Sequence, residues 1–134
     1  MKYNLTKLDA LVAEKVMGWR VLIRERAWWV DAETSNGPAP SEEVRGLVGY
    51  WSPSFDIIAA WEVRKHVLDT MEGSRCSVMS VARMFTWVRF FDVETGRDLG
   101  QYTDESECVA IVIAALRAKG VSEDDIKACE EVAA

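Results

Sequence analysis

The sequence predicts an α+β fold: a mostly antiparallel sheet sandwiched between helices, in α/β/α layers. Three observations predict it. Segments with apolar residues at three-and-four spacing alternate with segments rich in β-branched and aromatic residues. The connections between the strand-like segments are short, which favours antiparallel pairing. The hydrophobic share, 49% of 134 residues, is enough for one core in a single domain spanning 1–134.

The elements follow in order. Leu5, Leu8, Leu11, Val12 and Val16 recur at helical spacing, so residues 5–17 read as a helix, with Thr6 and Asp9 as a capping pair and Gly18 as its stop. Residues 20–30 read as one strand, with Arg20, Leu22, Arg24 and Arg26 on one face and Val21, Ile23, Glu25 and Ala27 on the other. Residues 31–41 are a loop, because Asn36-Gly37-Pro38-Ala39-Pro40 excludes regular structure. A short strand over 47–51 follows. Ser54 is then the expected cap of a second helix, with Asp56 in its first turn and Ile57, Ile58, Trp61, Val67 and Leu68 as the buried stripe. Residues 76–91 are strand-like but too long for one strand, so they split near 84–87. Val88, Phe90 and Phe91 predict a strand covered on both faces. A turn at Thr95-Gly96 leads to a strand over 99–102. Asp104 and Glu107 form the expected capping box of a third helix, apolar nearly all round and therefore deeply packed. Ser122 caps a short acidic last helix reaching about Val132.

Composition excludes several function classes. The net charge of −6 argues against a long nucleic-acid groove and against an anionic membrane surface. No run of residues reaches the length of a membrane span, and residues 1–8 hold no signal core. The three cysteines, Cys76, Cys108 and Cys129, are an odd number at wide spacing, which predicts reduced thiols in a cytoplasmic protein. With a single histidine, His66, and no Cys-x-x-Cys pair, neither a zinc site nor another metal site is expected, and no cofactor motif is present. Glu62 and Asp69 stand at helical distance from His66, and a solvated charge cluster is the expected reading.

Three segments together resemble a known family. They are Leu8-Asp9-Ala10-Leu11-Val12-Ala13-Glu14-Lys15-Val16-Met17-Gly18-Trp19, then Pro53-Ser54-Phe55-Asp56-Ile57-Ile58-Ala59-Ala60-Trp61-Glu62-Val63, then 110–116. In this order they are similar to the phage ABA-sandwich domain family, small proteins of bacteriophages and prophages. The resemblance covers roughly a third of the chain and implies a sheet between helical layers, phage origin and residence in the cytoplasm of an infected bacterium. It implies no catalytic chemistry. Phe55 departs from the family's small residue at that place, and the stretch 30–49 is long for the family.

The candidate binding residues come from surplus tryptophan and clustered arginine. Trp19, Trp61 and Trp87 are explained by packing, whereas Trp28, Trp29 and Trp51 flank the proline-glycine loop and offer stacking surfaces. Arg24, Arg26 and Arg45 are the candidate phosphate ligands, set against pairing with nearby carboxylates. Ser52 and Ser54 join them because a helix start offers N–H groups to an anion. The resulting expectation is a non-enzymatic phage accessory protein that binds and sequesters a small nucleotide-like immune signal, as a homo-oligomer. The alternative is a protein-binding module docking on a host or phage protein.

Overall fold

The computed structural model describes residues 3–31, 44–81 and 84–130. The chain runs α1 (Leu5–Lys15), β1 (Trp19–Arg24), β2 (Arg26–Asp31), β3 (Val44–Leu47), α2 (Ile57–Thr70), β4 (Ser74–Val81), β5 (Phe85–Asp92), β6 (Asp98–Asp104), α3 (Glu107–Ala118) and α4 (Glu123–Lys127). It is an α+β fold of two small antiparallel sheets, β1-β2-β3 and β4-β5-β6, flanked by helices. The loop expected over 31–41 lies almost entirely outside the described residues.

The expected strand over 20–30 is a tight hairpin. Glu25 adopts φ 59° between Arg24 and Arg26, and this left-handed residue reverses the chain. With one residue at the turn, Leu22 pairs with Trp28 and Arg20 with Val30, so the alternation read along one strand persists across two. The short strand expected over 47–51 lies earlier, at Val44–Leu47, and residues 48–50 form a turn with Gly49 at φ 92°.

The helix caps differ from expectation at three places. Asn4, not Thr6, caps α1 by accepting the Lys7 N–H. Asp56, not Ser54, caps α2 by accepting the Ile58 N–H at 3.1 Å. Ser106, not Asp104, caps α3 by accepting the Val109 N–H, while Asp104 ends β6 and accepts the Ser106 N–H. The physical reason is common to all three. A cap needs extended backbone immediately before the first helical residue and an oxygen able to reach the second or third free N–H, so a shift of two residues decides it. Ser122 caps α4 as expected, and α4 ends at Lys127. Residues 131–134, in the expected end of that helix, lie outside the described residues.

The main core is built around α3, whose residues 108–116 are all buried. It packs on β5 and β6 through Val88 and Phe90, and on α1 and α2 through Leu8, Val12, Ala60, Val63 and Val67. The buried residues of α2 are therefore Ala59, Ala60, Val63 and Val67; of the expected stripe Val67 is fully buried and Ile57 and Leu68 pack partly buried against the core, while Ile58 and Trp61 are a correction. Ile58 is 71% exposed and Trp61 50%. Small and β-branched residues let α2 approach α3 closely, and the larger apolar side chains turn outward.

Residues 76–91 divide into β4 and β5 as expected, with 82–83 outside the described residues. The expected cover on both faces of β5 is corrected. Val88 and Phe90 are fully buried on the α3 side, whereas Met79, Val81 and Phe85 on the other face are exposed and Trp87 is half-buried. The Thr95-Gly96 turn forms, with Gly96 at φ 70° and the Asp92 carboxylate accepting the N–H groups of Glu94 and Thr95. No helix among the described residues is long and apolar enough to cross a membrane. All three cysteines are free thiols, Cys108 and Cys129 buried and Cys76 partly so.

Candidate functional site

The surface where the first sheet meets α1 and α2 carries the chemistry. Its scaffold is a second, aromatic cluster formed by Ala13, Trp19 and Trp29, with Ala10, Met17, Val48 and Trp51 packed against it. Trp19 and Trp51 stand with ring centroids 4.6 Å apart at 59°, within the range of favourable tilted aromatic pairs. The Trp51 Nε1–H donates to Glu62 Oε1 at 3.4 Å, tying the turn after β3 to α2.

A turn precedes α2. The Ser52 carbonyl accepts the Phe55 and Asp56 N–H groups at 3.1 and 2.7 Å, so Ser54 sits inside the turn rather than at the helix start. This turn wraps the carboxylate of Asp9, which α1 presents between Leu8 and Ala10. Asp9 Oδ1 accepts the Ser54 N–H at 2.8 Å, and Oδ2 accepts the Ser52 hydroxyl at 2.9 Å. Asp9 is 8% exposed. Burial pushes its carboxyl above the ordinary carboxylate range, and the Ser54 and Ser52 hydrogen bonds act in the opposite direction.

Two concavities flank this structure. The larger, about 220 Å³, is an open cleft lined by Met17, Trp19, Arg45, Glu62, Lys65, His66 and Asp69. Lys65 and Asp69 form an exposed ion pair at 3.2 Å. The smaller, about 80 Å³, lies between α1 and the turn after β3, lined by Asp9, Ala10, Trp29, Val48, Trp51 and Ser52 among others. The cleft offers both charge signs, suited to a polar ligand. The small cavity offers one buried carboxylate and the hydroxyl residues Thr6 and Ser52 within indole and aliphatic walls.

The structure brings some of the expected ligand residues together and not others. Trp29, Trp51 and Ser52 line the small cavity, and Arg45 lines the cleft beside it. Ser54 is buried, with its N–H committed to Asp9. The anion subsite expected at Ser52 and Ser54 already holds the protein's own carboxylate. Trp28 is half-buried, paired across to Leu22 and Leu47, and Arg26 is exposed beside the hairpin turn. Neither lines these concavities. The Arg24 side chain lies outside the described residues. Of the tryptophans assigned to packing, Trp19 is buried, Trp87 is half-buried and donates to Gln101 at 2.8 Å, and Trp61 faces solvent.

Sequence reasoning missed Asp9, which it read as half of a capping pair. The available signal was its position: a carboxylate among Leu8, Val12 and Ala13 on the inward side of an amphipathic helix. Glu62 and Asp69 are exposed, as the solvated-cluster reading expected, and His66 is half-buried; together with Lys65 these residues also line the cleft. Among the described residues no group of three or more His, Cys, Asp or Glu side chains is placed to hold a metal ion. Compared with protein-family models, with curated proteins and with solved structures, the chain matches none.

Proposed function

We propose that this chain is a non-enzymatic binding protein that holds a small nucleotide-like ligand in the cleft between the first sheet and α2. One observation carries the reading: the cleft is lined by the cations Arg45 and Lys65 and the carboxylates Glu62 and Asp69 together with Met17 and Trp19. Arginine and lysine donate to phosphate oxygens. Carboxylates accept from sugar hydroxyls and exocyclic amines, as they do in dinucleotide sites. A volume of about 220 Å³, open on one side, suits partial engulfment of one nucleotide unit. The resemblance of the three sequence segments to phage ABA-sandwich proteins motivates the proposed setting: an accessory protein in the cytoplasm of an infected bacterium that sequesters a nucleotide immune signal, assembling as a homo-oligomer.

Native mass spectrometry of protein purified from bacteria with active nucleotide-based immunity tests this directly. The expected result is a retained small molecule that denaturation releases, lost in Arg45→Glu. A clean ligand-free mass from every host removes the reading. A second reading, a module docking on a host or phage protein, draws on Phe55, Ile58 and Trp61, large apolar side chains exposed in and just before the first turns of α2. A pull-down with no stoichiometric partner counts against it.

A further inference from the structure

The small cavity beside α1 contains chemistry that the nucleotide cleft does not use. Its volume of about 80 Å³ is the space of two or three waters, at roughly 30 Å³ each in the liquid, or of a few heavy atoms. Ala10 and Val48 give it apolar walls, and Trp29 and Trp51 add two indoles. Its charged element is Asp9, with the neutral hydroxyl residues Thr6 and Ser52 beside it. Each Asp9 oxygen accepts one hydrogen bond, from Ser54 and from Ser52, and each retains a further lone pair. Among the described residues no lysine or arginine pairs with it. A desolvated anion without a counter-charge attracts a cation and repels phosphate, and indole rings favour the same sign. The aliphatic wall favours carbon on that cation, and the remaining lone pairs favour an N–H.

We propose that this cavity is a binding site for a small alkylammonium head that keeps at least one N–H, seated against Asp9 and walled by Trp29 and Trp51. The N–H donates to the carboxylate, and the alkyl groups fill the space bounded by Ala10 and Val48. The head belongs either to a free amine or to a methylated lysine side chain. The site stands independently of the nucleotide cleft, because its charge selects the opposite kind of ligand.

The experiment is an NMR titration with dimethylammonium chloride, following the indole N–H signals of Trp29 and Trp51. Potassium chloride at equal ionic strength and isopropanol, a neutral molecule of similar shape, serve as controls. Saturable shifts are expected with dimethylammonium alone. Affinity is expected to fall at least about tenfold in Asp9→Asn, which removes the charge, and to vanish in Ala10→Leu, which fills the cavity and keeps the carboxylate. The Ala10→Leu arm keeps the test decisive if Asp9→Asn fails to fold. Parallel titrations with a free methylamine and with a peptide bearing dimethyllysine both support the site when either saturates, and the tighter of the two identifies the source. Linear drifts equal to those of potassium chloride, equal saturation by isopropanol, or unchanged affinity in Ala10→Leu overturn the proposal.

Discussion

The sheet β4-β5-β6 and the sheet β1-β2-β3 are attached to the helices by different chemistry. The former meets α3 through Val88, Phe90 and Gly100 against a helix of alanine, valine, isoleucine and leucine, with no polar side chain at the centre. The latter meets α1 through Trp19 and Trp29 against Ala13, with Trp51 tilted against Trp19 and an aspartate close by. Aliphatic packing fills space completely. Large rings packed on a helix leave gaps between them, and both concavities described above lie along the aromatic junction. The aliphatic junction is closed, and the concavities lie along the aromatic one.

Truncating the centre of each sheet breaks this comparison most strongly. Phe90→Ala is expected to cost about 3–5 kcal/mol, the usual cost of emptying a fully buried phenylalanine site. Far-UV and near-UV circular dichroism then lose their signals in one transition at lower denaturant. Trp29→Ala is expected to cost about 3 kcal/mol, but locally. Hydrogen exchange should accelerate in β1 and β2 while the amides of α3 keep their protection. Equal loss of protection in α3 would make the two sheets a single cooperative unit and cancel the contrast between the two junctions.

A smaller change sharpens the aliphatic side. Gly100 lies where β6 passes under α3: a Cβ there would stand 2.5 Å from the Ala114 carbonyl oxygen and would run into the Ala118 backbone nitrogen. Its Cα partner is Phe90, so the close approach sits beside the core's largest side chain. Gly100→Ala is expected to cost about 1–3 kcal/mol through a forced shift of α3, read as a lower midpoint in urea with an unchanged slope. Native stability in this variant would place α3 farther from β6 than the contacts described.

The same contrast explains what the sequence shows to a reader. The apolar α3, the Thr95-Gly96 turn and the antiparallel strands around it were legible, because each depends on local pattern: uniform apolarity, a left-handed glycine, alternation. The Glu25 hairpin was not, since a glutamate at positive φ carries no turn signature and Arg20 to Val30 alternates as one strand would. The outward turn of Ile58 and Trp61 was hidden because two faces of α2 are apolar, and only the width available beside α3 selects the one built from Ala60, Val63 and Val67. Of the site, the tryptophans and Arg45 were visible as unusual residues near a loop. Asp9 and Ser54 meet across 45 positions, and no local rule connects them.

Asp9 also provides the finest test of the aromatic side, through pH. Its carboxyl titrates above the ordinary carboxylate range in the folded protein because burial disfavours the charge more than Ser54 and Ser52 favour it. Between the unfolded and folded values the native state holds more protons than the unfolded one, so stability falls as pH rises through that window. The contribution is fully present below the unfolded value and is lost as pH passes the folded one. Asp9→Asn removes the titration but keeps an amide in the turn, and loss of one acceptor for Ser52 or Ser54 is expected to cost about 1 kcal/mol. The stability of the natural chain relative to Asp9→Asn should therefore increase on acidification through the carboxylate range and be flat between neutral and mildly alkaline pH, measured by urea unfolding at a series of pH values. A difference that shrinks on acidification would mean that the serine hydrogen bonds outweigh burial. Asp9 would then be a stabilising structural anion rather than one held at a cost.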